Sequence, residues 1–183
     1  MDWYSSVLYE KGCAFEQGDI LYECPYFETT REGDECLTDI VLHDVVILTQ
    51  SCDLAHGKVG KVLVAPWVGL SDFMQNWLCE IRRRDPKKEQ LSSKDKRSLF
   101  KHLSEGVYPG YHILNKCEES GLSDYPIIDF RNAYSVALAE LERVACAQKR
   151  ILRLRPPYRE HLSQAFARFF MRVGLPSNLV NPY

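Results

Sequence analysis

The chain has 183 residues, 45% hydrophobic and 26% charged, the proportions of one ordinary globular domain large enough to bury a core without staples. No apolar run approaches the ~20 residues that span a bilayer, and Met1-Asp2-Trp3-Tyr4 does not read as a signal peptide, so membrane insertion and secretion are not expected. Seven irregularly spaced cysteines without a C-x-x-C pair point to reduced thiols in a cytoplasmic protein rather than a disulfide framework.

A net charge of −2 conceals a strong separation. Residues 1–50 carry eleven acidic and two basic side chains, whereas residues 81–103 and residues 131–172 each carry nine basic and three acidic ones. One acidic and one basic face are expected, the basic one able to attract phosphates. The densest part is Arg82, Arg83, Arg84, Lys87 and Lys88, around Pro86; the alternative is a solvated surface.

In chain order, Gly18-Asp19 opens a strand through Cys24 that Pro25 closes. The acidic stretch 28–39 reads as a loop, and strands follow at about 40–49 and 61–66. Val45-Val46-Ile47-Leu48 is an unbroken apolar run, the mark of a strand buried on both faces. Ser71-Asp72 is placed to cap a helix to about Ile81, with Phe73, Trp77 and Ile81 on one face; with Trp67 these aromatics fit core packing better than base stacking. A second helix is expected over 93–104, so that 67–110 forms a helical insertion. Strands are expected at 111–114, at 126–130, at 134–138 with the apolar phase continuing to Leu141, and at 149–155, the last as an edge strand because of its charges. A closing helix over 157–173 starts at Pro156-Pro157 and stops at Gly174-Leu175-Pro176. It buries Leu162, Ala165, Phe166, Phe169, Phe170 and Val173, and turns Arg159, His161, Arg168 and Arg172 outward.

The chemistry-bearing residues cluster after the buried strand, in Thr49-Gln50-Ser51-Cys52-Asp53, with His56 and Lys58 downstream. Loops at strand ends are where a rigid scaffold presents reactive groups. Cys52 with His56 as base and Asp53 as orienter has the residue types of a thiol-dependent hydrolase; a half-buried structural cysteine is the alternative. Asp53 is expected to hold the turn through nearby backbone amides. His43, His56 and Asp53 have the proton-transfer groups for metal-independent RNA cleavage, with Lys58 or Lys61 to meet the phosphate. The intervening strand separates His43 from Cys52 by roughly 20 Å if extended. Cys36, Cys52 and His56 lack the paired spacing of a zinc site, and no metal or cofactor is expected.

The order of Gly18-Asp19-Ile20-Leu21, Val45-Val46-Ile47-Leu48-Thr49, Val62-Leu63-Val64-Ala65-Pro66, Ile128-Asp129-Phe130-Arg131 and a final helix ending in Gly174-Leu175 resembles the MazF/PemK family of toxin ribonucleases. The resemblance implies a single α+β domain: a small SH3-like antiparallel β-barrel (about 15–66 and 111–155) with the helical insertion and the C-terminal amphipathic helix. It implies a bacterial toxin- or defence-type module acting on RNA or another phosphate-rich ligand, with an antitoxin or defence-complex subunit as protein partner and a homodimer as the assembly. His43-Asp44 stand where the family has an Arg-Pro pair, and Trp67-Val68 follow Pro66 where it has a threonine or serine. The family's catalytic types are therefore not retained, and a noncatalytic interaction subunit is the alternative function.

Overall fold

The computed structural model describes residues 2–33 and 35–171. In chain order the elements are β1 (Tyr4–Leu8), β2 (Asp19–Glu32), β3 (Glu35–Ile47), α1 (Ser51–Ala55), β4 (Lys61–Gly69), α2 (Leu70–Arg84), α3 (Ser93–Ser104), β5 (Tyr111–Ile113), β6 (Pro126–Asp129), β7 (Tyr134–Ala137), α4 (Leu138–Gln148), β8 (Arg150–Leu154) and α5 (Tyr158–Phe170). The protein is α+β, and its antiparallel sheet has the order β1-β8-β2-β3-β4-β6-β5, with β7 also on β4. Among the described residues β1 pairs only with β8 and β5 only with β6, so the sheet is open where a closed barrel was expected.

Alternation along the central strands explains their continuous apolar runs. Leu21, Val45, Ile47, Val62, Val64 and Ile151 point to one face, where Leu141, Val144 and Ala145 of α4 cover them. Ile20, Val46, Leu48, Ala65, Leu152 and Leu154 point to the other, packed by Leu162 of α5. A third cluster joins Phe73 of α2 and Leu99 and Leu103 of α3 to Ile127 of β6. The insertion thus packs on the β5–β6 end of the sheet.

Several expectations are corrected. The stretch 28–39 is not a loop but the outer part of the β2–β3 hairpin, paired in register from Cys24↔His43 to Glu32↔Glu35, with Gly33 at φ +64° in its turn. The strand at 134–138 ends at Ala137, because Leu141, Val144 and Ala145 lie three and four residues apart in a run of good helix formers and become the buried stripe of α4. The segment 149–155 is not an edge: β8 lies between β1 and β2. Residues 51–55 form α1, and β1 was not anticipated. Helix α2 is not capped by its own Ser71 or Asp72; the Ser71 amide donates to Asp124, 2.8 Å away. Helix α3 forms over the expected range and is capped by Ser92 and Asp95 in a reciprocal capping box, which was not anticipated. In α5, Phe166 and Phe169 pack against the core while Phe170 is exposed. Arg159 turns inward to Glu16 at 2.6 Å. Arg172, Val173, Gly174, Leu175 and Pro176 lie outside the described residues.

Charged β8 is accommodated inside the sheet by one ionic cluster. Gly18, at φ +86°, brings the chain so close to β8 that a Cβ there would meet Leu154 Cβ at 2.9 Å. The next residue, Asp19, is fully buried, and Arg153 grips its two carboxylate oxygens at 2.6 and 2.8 Å. Arg153 also donates to Glu16 at 2.5 Å. Burial pushes the Asp19 carboxyl up, against the pull of Arg153 and of the Glu16 amide. Replacing Arg153 by Met leaves this carboxylate without its counter-ion and is expected to cost about 3–5 kcal/mol in urea unfolding, with Asp19→Asn restoring part of the loss. A loss below about 1 kcal/mol in the single variant would show that the pair does not hold the strands.

Candidate functional site

The long hairpin, the end of β4 and helix α2 enclose a cavity of about 820 Å³, within the size range of small-molecule sites, about 300–1,000 Å³. One wall is the base of the hairpin, with Tyr26, Glu28, His43 and Asp44. The opposite wall is the helix face on which Asp72, Asn76 and Glu80 recur every four residues beside Phe73 and Trp77. Trp67 of β4, Tyr111 of β5, Asp129, Arg131 and Tyr134 complete the lining.

The lining is aromatic and acidic. Tyr26 stacks on His43 at 5.2 Å and meets Tyr134 edge-on at 4.8 Å. On the other side Phe73 lies edge-on to Tyr111 at 4.8 Å and beside Trp77 at 5.8 Å. Five carboxylates face one arginine, and that arginine is engaged: Arg131 donates to Asp129 at 2.9 and 2.7 Å while its guanidinium lies 4.3 Å from the Tyr111 ring centroid. Burial raises the Asp44 carboxyl, which accepts the Glu23 amide at 3.0 Å, and burial also raises the Tyr134 phenol. His43 Nδ1, Trp67 Nε1 and Tyr134 OH are the buried side-chain polar atoms without a hydrogen-bond partner among the described residues, and all three residues line this cavity. An unpaired buried polar group is costly, and all three of these belong to residues around one cavity, which makes it the candidate site.

The sequence-derived candidates separate into three places. His43 lines the cavity. Cys52, Asp53 and His56 sit on and just after α1, and none of them lines it. Cys52 is exposed, its sulfur 3.6 Å from Gln50 Oε1 and 3.9 Å from Asp53 Oδ1. Asp53 pairs loosely with Lys58 at 3.9 Å and does not hold the turn. Ser51 and Thr49 do so, their hydroxyls accepting the Gln17 amide at 3.0 Å and the Leu63 amide at 2.7 Å. Lys61 is exposed at the start of β4. No group of three or more potential metal ligands forms among the described residues, Cys36, Cys52 and His56 included.

The basic candidates are exposed at the far end of α2, partly engaged. Arg82 donates to the carbonyls of Lys88 and Glu89, Arg83 pairs with Glu80 at 2.7 Å, and Lys88 pairs with Asp95 at 2.8 Å. Arg84 and Lys87 form no ion pair among the described residues. Arg84 continues the Asp72-Asn76-Glu80 face one turn beyond the cavity. Tyr26, Asp44, Arg131 and Tyr134 were not singled out as site residues, because each is an isolated residue in a strand or turn and only the fold gathers them; Trp67, Phe73 and Trp77 pack in or against the core as expected, and they line the cavity as well.

No protein-family profile matches this chain, and neither does any curated protein. No helix among the described residues is long and apolar enough to cross a membrane.

A second cavity, of about 570 Å³, lies between α3 and α5, lined in part by Trp3, Phe100, His112, Tyr125, His161 and Arg168. Burial, with His161 adding to it, pushes the His112 imidazole down to about 4. The native state therefore keeps His112 neutral where the unfolded chain takes up a proton, near pH ~6.5. Stability is expected to fall as pH drops from that value towards 4, and His112→Gln to flatten the dependence of the melting temperature on pH across that window. An identical dependence in the variant would contradict the assignment.

Thiol chemistry tests the placement of the cysteines. Iodoacetamide under native conditions is expected to modify exposed Cys13, Cys36, Cys52 and Cys79 and to spare buried Cys24, whose thiol is pushed up to about 12 by burial. Mass spectrometry that found Cys24 labelled before unfolding, or Cys52 protected, would contradict it.

Proposed function

We propose that the protein is a toxin- or defence-type module of MazF/PemK-like architecture that binds single-stranded RNA by taking one unstacked base into the aromatic cavity. The observation that carries the reading is the composition of that wall: seven aromatic or imidazole rings around one space, with the three unpartnered buried polar atoms on it. Unpaired RNA bases are read by stacking on such rings and by hydrogen bonds to their edges. The carboxylates keep phosphates out of the cavity and suit the amino groups of a base edge. A strand entering this way leaves its phosphates outside, near Arg83 and Arg84 at the end of the same helix, with Arg82, Lys87 and Lys88 beyond them.

The sheet is open, so the family likeness rests on the matching segments and their order along the chain. His43-Asp44, which occupy the place of the family's Arg-Pro pair, line the cavity, and so does Pro66. Binding rather than cleavage is proposed because Cys52, Asp53 and His56 lie outside the cavity and leave His43 without a second proton-transfer partner of the kind the sequence offered. The seven unbridged cysteines fit a cytoplasmic setting.

Binding of a short single-stranded RNA, followed by anisotropy, is expected to weaken roughly 5- to 150-fold in Trp77→Leu, the equivalent of about 1–3 kcal/mol for a stacked base. Arg84→Ala should reduce the slope of log affinity against log salt by about 0.7 for one phosphate contact. An abasic oligonucleotide that bound as well as the normal one would remove the base-pocket reading.

A further inference from the structure

Beyond the base of the cavity the β2–β3 hairpin becomes a two-stranded arm, exposed on both faces along residues 28–31 and 35–40. Such a ribbon is marginally stable in water by itself and needs a surface to lie on. One face has an apolar ladder. Phe27 and Ile40 are directly opposed and 60% and 64% exposed, and Leu42, opposite Pro25, is 56% exposed. The residues of the arm and its root, 23–44, carry seven acidic side chains and one basic, a net −6.

We infer that this arm docks on the basic α2–α3 face of a second copy of the chain, reciprocally, as an isologous dimer. Residues 81–103, with nine basic and three acidic side chains, carry a net +6 that matches the arm in magnitude and opposes it in sign. Arm against arm would join two charges of −6, and RNA on the arm would meet the same repulsion, so the second copy's basic face is the fitting occupant. Exposed Arg84, Lys87, Lys94, Lys96 and Arg97 offer aliphatic stems to the Phe27–Ile40 ladder while their charged heads reach the carboxylates that flank it. Two-fold symmetry repeats the contact, so both arms and both basic faces are covered at once. Arg84 and Lys87 are also where the proposed RNA strand would leave its phosphates, so the arm and a bound strand compete for this face and the dimer is the form free of nucleic acid.

Sedimentation velocity of the full chain, without nucleic acid, tests it. The protein is expected to be dimeric at low salt and to dissociate as salt is added. Two variants carry the test: Phe27→Lys with Ile40→Lys on the arm, and Lys94→Glu with Arg97→Glu on the face. Each places like charges opposite one another and should weaken self-association by roughly tenfold or more. All four positions are exposed, and circular dichroism checks that the fold is kept. An equimolar mixture of the two variants should associate again, because the lysine arm then meets the glutamate face and the native arm meets the native face. A wild-type chain that stayed monomeric at low salt, a variant that dimerised like the wild type, or a mixture that remained monomeric would each overturn the inference.

Discussion

The Asp19–Arg153 pair sets the terms on which the sheet forms. A strand as basic as β8 would be driven to an edge unless its inward arginine met a charge of equal depth. Asp19 supplies it from the first position of β2, and Gly18 permits the approach by having no Cβ. Glu16 extends the cluster to Arg159 of α5, so one set of ion pairs ties β2, β8 and the last described helix together. With β8 inside the sheet, β1 is added beyond it, and two opposite apolar faces become available, one for α4 and one for α5.

From that frame the cavity follows as a by-product of connectivity. Strand β4 pairs with β3 through Val64–Pro66, then with β6 through Trp67–Gly69, and passes without a break into α2. The base of the hairpin and the first turns of α2 therefore stand on either side of one continuous strand. Aromatic rings close the gap because they are the side chains wide enough to span it, and His43 Nδ1, Trp67 Nε1 and Tyr134 OH are left there without hydrogen-bond partners among the described residues. The carboxylates on the same walls give the space a sign opposite to that of the basic segment just beyond it.

Much of the frame was legible in the chain. Val45–Leu48 read as buried on both faces, and Ile47 and Leu48 do fall into opposite cores; the range of α3, Ser93–Ser104, was equally plain. The hairpin arm was misread because residues 28–39 have the polar, acidic composition of a loop, and a ribbon exposed on both faces has no apolar alternation to betray it. Strand β8 was misread because Arg153 signals exposure until its partner, 134 residues away, is known. The candidate site fared worst for the same reason. The Cys52 cluster was conspicuous because its members are neighbours in sequence, whereas Tyr26, His43, Trp67, Arg131 and Tyr134 converge only through sheet pairing and the path of β4.

One consequence lies in the bulge at the root of the arm. Between Leu21 and Cys24 the register with β3 slips, and Glu23 adopts φ +53°. The backbone groups freed there are held from outside, the Glu23 amide by Asp44 and the Tyr22 amide and carbonyl by the side chain of Gln148 on α4. The arm is thus a cantilever with a clamped root, and its clamp is partly the same Asp44 that lines the cavity. Any displacement of the arm's root is therefore also a displacement of one cavity wall, because Asp44 belongs to both.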